Sequence, residues 1–228
     1  EPPAPVTEPE KTFEEVLDEH PVSIQIDGQW QTFPNAKAAE EASYEEYKAN
    51  LLRNAQNFRI TDAHLGEGGP KAKFQANIEA IKLLKYLEET TGQATPEQQE
   101  VLSRYVGWGG LADAFDPEKP AWASEYAQLK ELLTPEEYVA ARSSTLNAHY
   151  TSPTAIQAIY EAVGRMGFET GNILEPSMGV GNFFGMLPEE MRNSRLYGVE
   201  LDPVSGRIAK QLYPKADITV GGFEPTDR

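Results

Sequence analysis

Asn172-Ile173-Leu174-Glu175-Pro176-Ser177-Met178-Gly179-Val180-Gly181-Asn182-Phe183-Phe184 is followed by Leu196-Tyr197-Gly198-Val199-Glu200-Leu201-Asp202. The first run reads as a short buried strand, a tight turn that starts acidic and passes through two glycines, and the opening of a helix. The second reads as another buried strand that ends on an acid. Strand, glycine-rich turn, helix, strand and terminal carboxylate open a Rossmann-like βαβ unit, in which ligands sit at the carboxyl ends of the strands.

The spacing narrows the ligand. A dinucleotide loop runs Gly-x-Gly-x-x-Gly or Ala, and its last small residue lets the helix pack close to the strand. Here Phe184 stands at that third place, which argues against NAD and FAD. No Gly-Lys-Ser or Gly-Lys-Thr follows, so a phosphate-gripping P-loop is excluded too. What remains is acid-Pro-x-x-Gly-x-Gly-x-Phe. Two glycines alone can be plain chain reversal. Glu175-Pro176 before them, Phe183 after them and the Gly198-x-Glu200-x-Asp202 strand end set this turn apart.

The pattern resembles motif I of S-adenosylmethionine-dependent methyltransferases, in particular the N6-adenine DNA methylase group. That cofactor has no pyrophosphate, so the resemblance implies a loop wrapped around an amino-acid tail and a ribose, with glycines allowing close backbone approach. It implies that Glu200 accepts hydrogen bonds from the ribose hydroxyls. It also puts Glu175, Pro176, Met178, Gly179, Gly181, Phe183 and Leu201 along the cofactor. Upstream, Asn147-Ala148-His149-Tyr150-Thr151-Ser152-Pro153 offers Ser152 as N-cap and Pro153 as first residue of a helix. Ile156, Ile159, Tyr160 and Val163 line one face of that helix, and Gly167 closes it. An aromatic-Thr-x-Pro turn just before the first strand resembles motif X of the same methylases, which covers the methionine end of the cofactor. His149, Tyr150 and Thr151 are thereby expected at the ligand, although a simple helix cap would read the same way.

Pro203–Leu212 reads as a helix and Asp217–Val220 as a third strand, with Gly221-Gly222-Phe223 at its end. In the family that strand carries an acid for the adenine amino group, then an aromatic that packs on the ring. Gly222 stands where the acid belongs, Phe223 is left to supply the packing, and Glu224 follows one position later. The family's chemistry is done by Asn or Asp-Pro-Pro-aromatic, which grips a flipped-out adenine. No Pro-Pro occurs after Pro2-Pro3, so no catalytic residue is assigned. The resemblance therefore implies the cofactor-binding N-terminal portion of a DNA adenine-N6 methyltransferase, inactive alone. Gly68-Gly69-Pro70-Lys71 and Val106-Gly107-Trp108-Gly109-Gly110 widen the resemblance to the methylase part of large methylase–helicase proteins of bacterial mobile elements. The implied partners are DNA, through a longer parent, and a helicase region of the same polypeptide. Two alternatives stand: a non-catalytic scaffold beside a helicase, and a methyltransferase acting on RNA or protein.

Composition sets the bounds. The chain has 228 residues, 39% of them hydrophobic, with a net charge of −16, no cysteine and three scattered histidines. There is no disulfide and no metal site of standard spacing. No signal peptide or membrane span is legible, which suggests a cytoplasmic protein without membrane contact. DNA-gripping surfaces are usually basic, so DNA contact here must be local or come from other sequence.

Four stretches follow in order. Residues 1–20 open Pro- and Glu-rich, without Met, and read as a disordered linker of something longer. Residues 21–53 read as an appendage: a hairpin through Asp27-Gly28, then an acidic helix from Ala36 to Arg53. Residues 1–53 hold twelve acids against four Lys or Arg, a net of −8. Residues 54–146 read as a helical region. In it, Phe74, Ile78, Ile81, Leu84 and Leu87 recur at helical spacing up to Gly92. Thr95-Pro96-Glu97-Gln98 and Thr134-Pro135-Glu136-Glu137 are capping boxes, with a weaker helix from Ser124 to Leu133 between them. The Gly66–Gly69 loop with Lys71 and Lys73 is either a phosphate cradle or a connector in which Pro70 starts a helix. Trp108 among its glycines is either a base-stacking platform or a plug in the helical core, the simpler reading. Residues 147–228 then form the first half of a Rossmann-like sheet, giving an α/β chain overall.

Overall fold

The structure is a computed structural model that describes residues 21–224 except 63, 91 and 149. The expected linker 1–20 and His149 lie outside the described residues. The contacts divide the chain into residues 1–53 and 54–228.

In the first unit, β1 (Val22–Ile26) and β2 (Gln29–Phe33) pair antiparallel, with Ile26 opposite Gln29. Asp27 and Gly28 both take positive φ, 48° and 76°, as a type I′ turn needs to match strand twist. Helix α1 (Ala36–Asn54) follows, opened by the Asn35 Oδ1, which accepts from Ala38 N at 2.8 Å. Only Ala39 of α1 is buried.

The second unit is mixed α/β. Its helices start where the sequence says they should. Pro70 is the first residue of α2 (Pro70–Glu89), which buries Phe74, Ile78, Ile81, Leu84 and Leu87. Both capping boxes are formed, at Thr95 for α3 (Pro96–Ser103) and at Thr134 for α5 (Pro135–Ser144). Between them lie two 3-10 turns and α4 (Ala123–Leu132). Ser152 caps α6 (Pro153–Arg165) through Ala155 N. A parallel three-stranded sheet then forms in the order β3 (Asn172–Glu175), β4 (Arg195–Glu200), β5 (Asp217–Val220). The one-turn helix α7 (Asn182–Gly185) links β3 to β4, and α8 (Pro203–Leu212) links β4 to β5.

Helix α8 is the hinge pin of the unit. It packs on β4 and β5 on one side and on α2, α3 and α5 on the other, so helices and sheet share one core. Val220 lies against Gly206 so closely that a Cβ there would stand 2.8 Å from Val220 Cγ2. Arg207 reaches Glu88 of α2 at 2.7 Å and Glu137 of α5 at 2.6 Å, and Lys85 joins Glu137 at 3.0 Å. Gln211 accepts from Ala94 N at 2.8 Å and donates to Gly92 O at 2.9 Å. An extended run the sequence left unread is stitched on here too: Phe58 N donates to Leu212 O at 2.7 Å and Ile60 N to Gly185 O at 2.9 Å.

Two expectations are corrected. Strand β3 is not buried. Among the described residues it lies at an edge of the sheet, with an alternating burial pattern, and Leu174 is 43% exposed. Ile159 of α6 is likewise 45% exposed, while Ile156 and Tyr160 are buried. Trp108, in contrast, is the core plug rather than a stacking platform. It is 1% exposed and meets Phe74, Tyr105 and Phe115 edge-on at 5.3–6.3 Å. Among the described residues, no helix is long and apolar enough to cross a membrane.

Candidate functional site

The site is built from three loops that meet at Tyr150. The first is the turn after β3. Gly179 and Gly181 sit at φ of 57° and 87°, a region costly for any other residue. Gly181 N donates to Met178 O at 2.8 Å, and Met178 N donates to Val199 O at 3.0 Å, so the turn folds back onto β4. Space is as restrictive as angle. A Cβ on Gly179 would overlap the Tyr150 ring, and one on Gly181 would stand 2.5 Å from Tyr213 Cε2.

The second loop is the end of β4. The Glu200 carboxylate takes Gly179 N–H on one oxygen at 2.7 Å and Asp202 N–H on the other at 2.8 Å. Burial raises its pKa above the ordinary carboxylate value, and those N–H groups oppose the rise. The Leu201 N–H bears on it as well; a carboxylate offers about four lone-pair sites, so it still has capacity toward a ligand. Asp202 caps α8, its Oδ1 accepting from Ser205 N at 2.7 Å. Its Oδ2 is buried and has no hydrogen-bond partner.

The third is the Tyr105–Gly110 loop of the helical region. Asn77, fully buried in α2, holds it from both sides: Nδ2 donates to Gly107 O at 2.6 Å and Oδ1 accepts from Val106 N at 2.9 Å. Gly107 gives the loop a φ of 69°, and a Cβ there would stand 3.3 Å from the Tyr150 ring. Tyr150 is thus clasped between Gly107 and Gly179.

Two cavities flank that ring. One, of about 410 Å3, is lined by Tyr105, Gly107, Ala140, Ser143, Ser144, Asn147, Ala148, Tyr150, Ser177, Gly179, Glu200, Leu201, Asp202 and Ser205. The other, of about 330 Å3, is lined by Gly66, Glu67, Lys73, Ser103, Tyr105, Tyr150, Thr151, Ser152 and Asn182 among others. Tyr105, Ala148 and Tyr150 belong to both.

Of the residues singled out from sequence, Tyr150, Gly179, Glu200 and Leu201 line the first cavity and Tyr150 and Thr151 the second. The others are elsewhere. Met178 is 5% exposed and packs beneath Gly198. Phe183 faces Tyr160, whose hydroxyl donates to Phe183 O at 2.7 Å. Glu175 lies on that same side, its pKa raised by burial and its charge felt by Tyr160. Pro176 is exposed, Gly181 is held under Tyr213, and Phe223 is 45% exposed and lines neither cavity. Of the glycine loop and its two lysines, Gly66 and Lys73 line the second cavity, whereas Lys71 is engaged elsewhere: its Nζ bonds Ala121 O and Glu125 at 2.6 Å and sits 3.9 Å over Trp122. His64 is an exposed partner of Glu67 at 3.1 Å, which raises its pKa. Among the described residues no cluster suited to a metal ion occurs.

Sequence reading missed Tyr105, Ser205 and the α5 end at Ser143 and Ser144, because the contacts that bring them to Tyr150 span 45 or 55 residues of chain or lie at a helix end, where no spacing marks them. The signal available was the glycine pair flanking Trp108, which marks a close backbone approach.

The chain is similar to two known proteins. Over 159 residues, 70% of the chain, it is 27% identical to "Defense against restriction protein B" of Escherichia phage P1. Over 69 residues, 30% of the chain, it is 42% identical to the type II methyltransferase M.CvrRI of Paramecium bursaria Chlorella virus XZ-6E. The matched stretches span 6% and 17% of those relatives' lengths. No family model matches, and no solved structure does. The chain is thus related in part to a methyltransferase and to a phage protein named for defence against restriction.

Proposed function

We propose that residues 147–224 are the cofactor-binding half of an S-adenosylmethionine-dependent DNA adenine-N6 methyltransferase, Rossmann-like in plan. The 54–146 helical region closes one wall of the site in this reading. The observation that carries it is the Glu200 carboxylate, which joins the strand end to the Gly179 turn and still faces a cavity of about 410 Å3. A carboxylate with spare lone pairs beside glycine backbone suits a ribose and an amino-acid tail, and the methyltransferase relative supports that ligand class.

Chemistry on a base needs groups beyond these. No Asn/Asp-Pro-Pro-aromatic is present in the 228 residues, and adenine as the acceptor rests on the motif resemblance. Methyl transfer, DNA and a helicase region as partners are proposed for a polypeptide that contains this chain and that motif. Isothermal titration of the chain with S-adenosylmethionine and S-adenosylhomocysteine tests the reading. Saturable one-site binding is expected, and its loss in Glu200→Gln ties it to this cavity.

A second reading has its own observation. Both glycines of the turn are covered by side chains of the protein, Tyr150 and Tyr213, as in a scaffold that has no use for a ligand. Absence of binding to either compound favours that reading.

A further inference from the structure

The first unit buries less than its own pattern calls for. Strand β1 alternates strictly, with Val22, Ile24 and Ile26 on one face and Ser23 and Gln25 on the other, yet its three apolar residues are only half-buried. A groove of about 920 Å3 separates β1 from α1 and is lined by Val22, Ile24, Ala39, Tyr44 and Tyr47 among others. Both tyrosines are exposed, and of α1 only Ala39 is buried. Two strands alone are marginal in water, and further strands over a shared apolar face are what make such a sheet stable.

The free edge of β1 is also unguarded. Native edge strands are blunted by lysine, proline or a bulge. Val22-Ser23-Ile24-Gln25-Ile26 carries no charge and no proline, and it pairs with β2 without a bulge along all five residues. Among the described residues β1 has no other strand beside it. Strand β2 presents a different row. Opposite Ile24 and Ile26 it carries Gln31 and Gln29, so the apolar edge belongs to β1.

The pattern of β1 selects its occupant. Turned antiparallel about Ile24, the strand matches itself: Val22 comes opposite Ile26, Ser23 opposite Gln25, and Ile24 opposite its own copy. Apolar then faces apolar beside α1, and polar faces polar on the other side. Charge agrees. Two chains of net −16 repel each other except where the contact is neutral, and this strand is neutral. On the helix wall of the groove stand Lys37, Glu40 and Glu41, and among the described residues none of the three is in an ion pair. A second copy brings opposite charges to the same wall.

We infer that β1 is the seam of a twofold dimer of this chain, in which two hairpins join as one antiparallel sheet in the order β2-β1-β1-β2. The contact is isologous, as a twofold requires, and the two grooves close on each other over one apolar row. The appendage is an assembly module, and it remains one whether or not residues 147–224 take a cofactor.

The chain has no cysteine, so a single thiol reports the seam directly. Residues opposite each other in antiparallel strands have Cα atoms about 4.5–5.5 Å apart, within the span of a disulfide. Under mild oxidation Ile24→Cys should cross-link into a dimer at least about tenfold faster than Trp30→Cys, although Trp30 is the more exposed position, at 74%. Sedimentation velocity of the wild type should show a monomer–dimer equilibrium. Ile24→Lys, which sets two ammonium groups against each other on the axis, should weaken that equilibrium at least about tenfold. Cross-linking of Ile24→Cys no faster than that of Trp30→Cys overturns the seam, and decides the matter even where Ile24→Lys does not fold. A dimer that survives in Ile24→Lys with unchanged circular dichroism overturns it too and moves self-association to another surface. A wild type that sediments as a monomer at every concentration overturns the second copy and leaves the edge to a strand from another protein.

Discussion

The helical part and the sheet part of residues 54–224 are built on opposite principles. The helices are fixed locally: Thr95 and Thr134 each close a capping box, prolines stand at N1, and a single aromatic cluster around Trp108 fills the interior. The sheet is fixed from outside. Its strands are four to six residues long, β3 is half exposed, and α8 must reach across to the helices to hold it. The candidate site follows the contrast. Gly107 and Gly179, both at positive φ, close on Tyr150 where the two parts meet, while the helical core around Trp108 lies behind them.

The comparison breaks first at Trp108. Truncation to Ala in a fully packed core should cost about 3–5 kcal/mol, enough to unfold the helical part. Urea melts followed by far-UV circular dichroism would show it, and a loss below 1 kcal/mol would mean Trp108 does not organise that core.

Next comes the seam. Glu137 is 6% exposed in its side chain and holds both Arg207 and Lys85. Glu137→Ala leaves two cations on the seam and removes the cap partner of Thr134, so roughly 3 kcal/mol should go. Hydrogen exchange should rise first in α8 and the sheet; uniform loss would erase the distinction drawn here.

The same residue gives a pH test. Burial alone would raise the Glu137 carboxyl, but Arg207, the Thr134 N–H and Lys85 outweigh it and hold it below the ordinary value. A depressed folded pKa contributes stability that is complete above the unfolded value of about 4.3 and is lost as pH falls through the folded value. Glu200 and Glu175 are raised by burial, so their cost is relieved on acidification. The seam should therefore weaken below about pH 4 in the wild type, and that step should vanish in Glu137→Gln.

A smaller effect is expected at the turn. Gly179→Ala forces a Cβ into the Tyr150 ring at φ of 57° and should cost about 1–3 kcal/mol. Ser177→Ala, at an exposed position, should fall within about 0.5 kcal/mol of wild type.

Much of this was legible in sequence because it is local. A cap, an Asp-Gly turn or a 3.6-residue repeat carries its own physical cause, so the hairpin and the helix starts were read from neighbours in the chain. The exposure of β3 was not, because an apolar four-residue run looks alike at an edge and in a sheet centre. Nor was the covering of Gly179 by Tyr150, since contacts between residues so far apart leave no spacing to read. Tyr150, Gly179, Glu200 and Leu201, which the motif resemblance named, line one cavity. Met178 and Phe183, named with them, pack beneath Gly198 and against Tyr160 and line neither cavity.

Glu200 carries the central claim, so its substitution is the sharpest measurement. Glu200→Gln keeps the side chain's shape and one carbonyl acceptor but removes the charge. Calorimetric titration of wild type and Glu200→Gln with S-adenosylmethionine, after confirming equal helical signal, is expected to show binding weakened about tenfold to a hundredfold. Equal affinity in the two chains, or no binding by the wild type, would contradict the account.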